Sequence, residues 1–126
     1  HTPNFGGEMV PYFGIPLATS NLSAKLIQKT KAKTLFLYAM RNDDHGFDMH
    51  IEPIDDRIYQ GNPNQGTAVI LAAIEDLIRR YPEHAHWSYK RFKANPALDH
   101  LYHLNTDEAL KLVEDVRRQD AQTKII

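Results

Sequence analysis

At 126 residues the chain has the length of one small domain, and its 42% hydrophobic and 25% charged residues form a globular mixture that excludes a disordered or fibrous chain. A formal net charge of −1 supplies no global attraction for nucleic acid or an anionic surface, so any basic site has to be local. With no cysteine there is no disulfide, no thiolate metal site and no cysteine nucleophile, and no run approaches the roughly 20 apolar residues that cross a bilayer.

Residues 1 to 19 carry Pro3, Gly6, Gly7, Pro11, Gly14 and Pro16, which predicts mostly loop with one short extended stretch at Met9 to Phe13. Ser20 or Asn21 then caps a helix of about three turns, with Leu22, Leu26 and Ile27 on one face and Lys25, Lys29 and Lys31 on the other. Thr34 to Met40 is a continuous apolar run that reads as a strand covered on both faces. Asn42 to Gly46 supplies a turn, and Phe47 to Ile54 alternates as a half-buried strand that ends, or lies at an edge, at Pro53. Turn-rich sequence from Asp55 to Asn64 precedes a helix from Gly66 or Thr67 to Arg80, with Val69, Ile70, Ala73, Ile74, Leu77 and Ile78 in its stripe. Glu75 and Arg79 are placed to pair, and Pro82 stops the helix. After a long loop, Asn105 and Glu108 form a capping box for a helix to about Arg118, whose Arg117 and Arg118 suit its C-terminal dipole, with a frayed tail beyond Gln119.

The predicted order is loop, helix, strand, strand, helix, loop, helix, an α/β arrangement with helices packed on a small sheet. Two strands make a sheet of little stability alone. The apolar strand at Thr34 to Met40 therefore implies neighbours from elsewhere, and with the opening at His1 this leads us to expect the C-terminal portion of a longer protein.

Trp87-Ser88-Tyr89-Lys90-Arg91-Phe92-Lys93 interleaves three cations with three aromatics. Such a cluster suits a phosphate-bearing ligand at an apolar boundary, because Lys and Arg hold phosphate oxygens while Trp and Tyr favour a partly wet interface. The same residues also read as a solvated basic turn anchored by core aromatics. Pro82, Glu83, Trp87, Lys90, Arg91, Phe92 and Lys93, together with Val10-Pro11-Tyr12-Phe13-Gly14-Ile15-Pro16-Leu17-Ala18-Thr19, resemble two conserved blocks of the bacterial lipid A late acyltransferases, in the family's order. The resemblance covers about residues 1 to 97 and leaves the helix near 105 to 118 as an extension without assigned chemistry.

The resemblance implies an incomplete three-layer piece of an acyltransferase fold, one domain across residues 1 to 126. Its activity would be transfer of a fatty acyl chain from acyl carrier protein to a hydroxyl of a lipid A precursor, without a cofactor. It implies a parent protein at the cytoplasmic face of the bacterial inner membrane, aided by local cations near anionic head groups. Related sequences keep a basic residue at the position of Arg41, where a strand end points toward a ligand crevice. Arg41 also reads as a hairpin arginine answering Asp43 and Asp44. The expected substrate-binding residues are thus Arg41, Trp87, Lys90, Arg91 and Lys93.

The family's catalytic pair is a histidine with an acid beyond four intervening residues, on the N-terminal side of the matched blocks. The histidine takes the acceptor hydroxyl's proton and the carboxylate steadies the imidazolium. That spacing is read as absent from all seven histidines, so no catalytic residue is expected and the chain alone is expected to be inactive. His84, His86, His100 and His103 invite a four-nitrogen metal site, but with no cysteine nearby and a loop setting no metal is expected. Gly6-Gly7 lacks the ending and setting of a nucleotide loop, and Glu8 reads as a loop or cleft carboxylate. Two other function classes fit the residues: a nucleic-acid module stacking bases on Trp87, Tyr89 and Phe92, against which the acidic balance argues, and a domain that docks a protein through the last helix.

Overall fold

A computed structural model of the chain describes residues 7–123, with the side chain of Thr123 not described. His1, Pro3 and Gly6 lie outside the described residues. The protein is a mixed α/β chain, as expected, and divides into two compact units: residues 1–20 with 87–126, and residues 21–86.

In the first unit, strands β1 (Glu8–Tyr12) and β2 (Ile15–Thr19) pair antiparallel where the sequence predicted mostly loop. The turn is two residues, Phe13 and Gly14, both at positive φ (50° and 72°), the φ pattern of the tight turn whose twist matches its strands. Tyr12 and Ile15 flank this turn and pair with each other, so the next pair, Pro11 opposite Pro16, falls where backbone N–H groups face away from the ladder. The prolines that suggested a loop therefore remove no hydrogen bond between the strands. Alternation puts Val10, Tyr12, Ile15 and Leu17 on one face, where all four are buried.

That face is covered by sequence predicted to be loop. Three short 3-10 helices, Arg91–Ala94, Pro96–Leu98 and Leu101–His103, bring in buried Ala94, Leu98 and Leu101. Buried Asn95 joins them to the hairpin: its Nδ2 donates to the Pro16 carbonyl at 2.8 Å and its Oδ1 accepts from the Ala97 N–H at 2.9 Å. The last helix, α3 below, spans Thr106–Thr123 and opens on the predicted Asn105 and Glu108 capping box. It runs past the predicted end because nothing from Gln119 to Gln122 breaks a helix. Arg117 and Arg118 are consequently mid-helix: Arg117 donates to the Phe13 carbonyl at 3.0 Å, and Arg118 pairs with Glu114 at 3.5 Å. Of the apolar residues of α3, Val116 is buried and Leu110 is exposed.

The second unit holds α1 (Leu22–Thr30), β3 (Leu35–Arg41), β4 (Phe47–Pro53) and α2 (Pro63–Arg80). Helix α2 starts earlier than predicted. Asn62 accepts from the Asn64 and Gln65 N–H groups, the Gln65 side chain returns to the Asn62 N–H, and Pro63 fills the first turn where a missing N–H costs nothing. The α2 residues packed most deeply are Gly66, Thr67 and Leu71, while the predicted stripe is half-buried. The offset follows from α1, whose Ala24 is fully buried and meets α2 at Gly66. A Cβ at Gly66 would lie 3.1 Å from that of Ala24 and 3.2 Å from the Ile58 carbonyl oxygen. Leu22 and Leu26 consequently face outward, and Asn21 bonds Asn64 across the helices instead of capping α1 by its side chain. Gln28 completes the joint by donating to the Ile58, Gln60 and Asn62 carbonyls.

Strands β3 and β4 form the predicted hairpin, from Leu35 opposite Pro53 to Arg41 opposite Phe47. One face bears Phe36, Tyr38, Met40 and His50, half-buried; the other bears Leu35, Leu37, Met49 and Ile51, all exposed. The expectation of a strand covered on both faces is thus met on neither face completely. Among the described residues no helix is long and apolar enough to cross a membrane.

Candidate functional site

The two sequence blocks singled out above, residues 10–19 and 82–93, meet in the first unit through Arg91 and Phe92. Arg91 turns inward: its Nη2 donates to Thr19 Oγ1 at 3.3 Å, 72 positions away in sequence, and its guanidinium lies 5.7 Å from the Tyr12 ring centre. The Phe92 and Tyr12 rings are 6.2 Å apart, and the Phe92 N–H donates to Tyr102 Oη at 3.1 Å. These contacts pin the base of the Trp87 to Lys93 segment to the hairpin.

The remaining members of the cluster face the other way. Lys90 and Lys93 are exposed, with the Lys90 ammonium 5.7 Å from the Tyr102 ring centre. Trp87 is 67% exposed and Tyr89 52%. Arg91 and Phe92 are the anchor to the fold, as the reading of an anchored basic turn expects, and Trp87, Lys90 and Lys93 are exposed.

Arg41 belongs to the second unit, at the end of β3. Its guanidinium sits 5.9 Å from the ring centre of its cross-strand partner Phe47, and no ion pair joins it to Asp43 or Asp44 among the described residues. The alternative reading of Arg41 as their partner is corrected: Asn42 organises that turn, accepting from the Gly46 N–H and donating to Asp48.

The spacing of a histidine with an acid five positions on occurs twice, at His50 with Asp55 and at His103 with Glu108, which corrects the assignment of no histidine to such a spacing. Both acids have local partners. Asp55 accepts from the Arg57 backbone N–H and, through Oδ2, from its guanidinium at 2.7 and 3.0 Å, which holds its carboxyl at about 2. His50 stacks on Tyr38 with ring centres 4.9 Å apart and planes 7° from parallel. Glu108 is the capping residue of α3. Neither pair has the carboxylate-to-imidazole bond that would steady an imidazolium.

The strongest polar network, which the sequence reading missed, lies in the second unit. Tyr38 donates to Glu52 at 2.5 Å, and Arg80 donates to both Glu52 oxygens at 3.1 and 3.2 Å while pairing with Asp76 at 2.9 Å. The Arg80 bonds, then that from Tyr38, hold Glu52 below the usual carboxylate range, and the Glu52 bond raises Tyr38. Arg80 and Glu52 border a cleft of about 300 Å³ lined also by Phe36, Ile54, Val69 and Ala73. Its signal was an i, i+4 pair, Asp76 and Arg80, at the end of a helix. Among the described residues no three acids or histidines gather to hold a metal ion.

The joined blocks are those of a class of enzymes that transfer acyl groups. The chain matches the model of the bacterial lipid A biosynthesis acyltransferases over residues 3–94 and belongs to that family. No individual curated protein matches it. The match ends with the 3-10 helix that carries Arg91 and Phe92, and α3 lies beyond it.

Proposed function

We propose that this chain is the acceptor-holding part of an acyltransferase that moves a fatty acyl group from acyl carrier protein to a hydroxyl of a lipid A precursor. The hydroxyl oxygen attacks the thioester carbon, an ester C–O bond forms, the C–S bond breaks, and the carrier leaves as its thiol with the proton the hydroxyl gave up. A histidine–acid pair of the enzyme, supplied neither by His50 with Asp55 nor by His103 with Glu108, takes that proton and passes it to the leaving thiolate, and the chain alone is inactive. The work is done at the cytoplasmic face of the inner membrane. Lys90 and Lys93 grip the acceptor's phosphate, Trp87 walls its apolar side and Arg91 holds the segment in place; Arg41, in the second unit, is a separate candidate cation.

What supports this reading is that Arg91 joins the two family blocks and leaves Lys90 and Lys93 pointing outward on a base tied to the hairpin. The test is acyl transfer by the full-length protein, with acyl carrier protein thioester as donor and a phosphorylated lipid A precursor in detergent micelles as acceptor. Changing Lys90 and Lys93 together to Ala should lower kcat/KM at least about tenfold, mostly through KM, since a lost charge-assisted phosphate contact is worth roughly 1.5–3 kcal/mol. Unchanged kinetics in a folded double variant would remove the cluster from the site. Transfer by the 126-residue chain alone would overturn the assignment of the proton-transfer pair.

A further inference from the structure

Two large aromatics stand in water at the tip of the Trp87 to Lys93 segment, 67% and 52% exposed, while its base is fixed. A flexible tip would lose much entropy on docking, whereas one tied by Arg91, Phe92 and Asn95 loses little. Along the chain from His84 to Leu98 there are three cations, Lys90, Arg91 and Lys93, and no acid, with Glu83 and Asp99 bounding the stretch. The chain as a whole is slightly acidic, so this is a local excess, and two of the three cations are exposed. Indole and phenol rings beside exposed ammonium groups suit one medium in particular, the headgroup layer of an anionic bilayer, which solvates the rings' apolar bodies and polar edges and attracts the lysines.

We infer that the Trp87–Ser88–Tyr89 tip, with Lys90 and Lys93 behind it, enters the headgroup layer of an anionic membrane, so that the cluster meets its phosphorylated lipid while that lipid is still in the bilayer. The inference rests on the lipid-acceptor reading above and adds Tyr89, which that reading does not use. The depth is shallow, because Lys90 and Lys93 have to stay at the phosphate level.

Trp87 is the single tryptophan of the chain, so its emission reports on this tip alone. The 126-residue chain is titrated with vesicles of phosphatidylethanolamine and phosphatidylglycerol, and separately with phosphatidylcholine vesicles. The expected result is a blue shift with the anionic vesicles only, reversed by high salt, and quenching by lipids brominated high on the acyl chain. Changing Lys90 and Lys93 to Gln should weaken partitioning roughly twenty-five-fold, each cation near an anionic surface contributing about fivefold. Tyr89→Ser should weaken it with the charges intact, and circular dichroism checks that both variants are folded.

Emission that stays water-like on vesicles that sediment with the protein would overturn the inference, because another surface would then be binding. So would absence of binding, or a blue shift produced equally by a soluble phosphorylated glucosamine disaccharide without acyl chains, which would make Trp87 only the wall of a sugar-phosphate subsite. Acyl transfer in micelles is read independently. Activity there with a water-exposed Trp87 on vesicles defeats the membrane inference and leaves the acyltransferase reading standing.

Discussion

The molecule contains two antiparallel hairpins of similar design and different fate. In β1–β2 the inward face of Val10, Tyr12, Ile15 and Leu17 is buried within its unit, with the Arg91–Ala94 helix and α3 packed on β2 and Phe92 against Tyr12, and Leu17 is wholly buried. In β3–β4 the face bearing Leu35, Leu37, Met49 and Ile51 stays in contact with water, Leu37 being 57% exposed, although its residues are just as apolar. Strand composition therefore does not decide burial here. What decides it is whether the same unit supplies a cover, and the cover of β1–β2 comes from sequence that carries no strong periodicity of its own.

The comparison is tested most sharply by one truncation in each hairpin. Leu17→Ala should cost about 2–5 kcal/mol in urea unfolding, because a filled site becomes a cavity. Leu37→Ala should cost less than about 1 kcal/mol, since the side chain already sits in water. Equal losses would mean that the outer face of β3–β4 is covered in solution. Asn95→Ala comes next, at about 1–3 kcal/mol, because it strips the Pro16 carbonyl and the Ala97 N–H of their buried partner.

In the second unit, Gly66→Val should destabilise by about 1–3 kcal/mol despite any gain in helix propensity, since the Ile58 carbonyl oxygen facing that position is backbone and cannot yield. Asn62→Ala should cost about 1 kcal/mol through the lost α2 cap, read in the same unfolding experiment. The smallest effect is acid-dependent. Asp55 is held below its ordinary 3.8, at about 2, by the Arg57 guanidinium, so its contribution is complete above about pH 4 and is lost as pH falls through about 2. Asp55→Asn should abolish that small acid-limb slope in stability and leave neutral stability slightly lower, the pair being exposed.

Helix α2, the β3–β4 hairpin and the Asn105–Glu108 box were legible because each rests on a local signal: a stripe, an alternation with turn residues, a side chain three positions from its target. The first hairpin was not. Pro11 and Pro16 argued for loop, and only their register, opposite each other at an outward-facing pair, makes them harmless. The start of α2 was readable in principle from Asn62, Pro63 and Gln65 but was masked by the surrounding turn residues. At the candidate site, the residues of the cluster stood out in the sequence, and their division of labour did not. Arg91 and Lys90 are neighbours with the same charge, yet one lies against Tyr12 and Thr19 and the other faces water. That difference arises from contacts more than seventy positions away, which no local pattern encodes.

The proline pair has a further consequence for self-association. At that level β1 has no donor on its outer edge, and on β2 the outward carbonyl of Pro16 is already taken by Asn95. An incoming strand from another molecule therefore finds no continuous row of partners on either side of the ribbon. The β3–β4 hairpin has its only proline at the very end, Pro53, and its remaining edge positions carry ordinary backbone donors. If copies of this chain cross-link into β-aggregates on partial unfolding, the growth point belongs to residues 35–53 and not to residues 8–19.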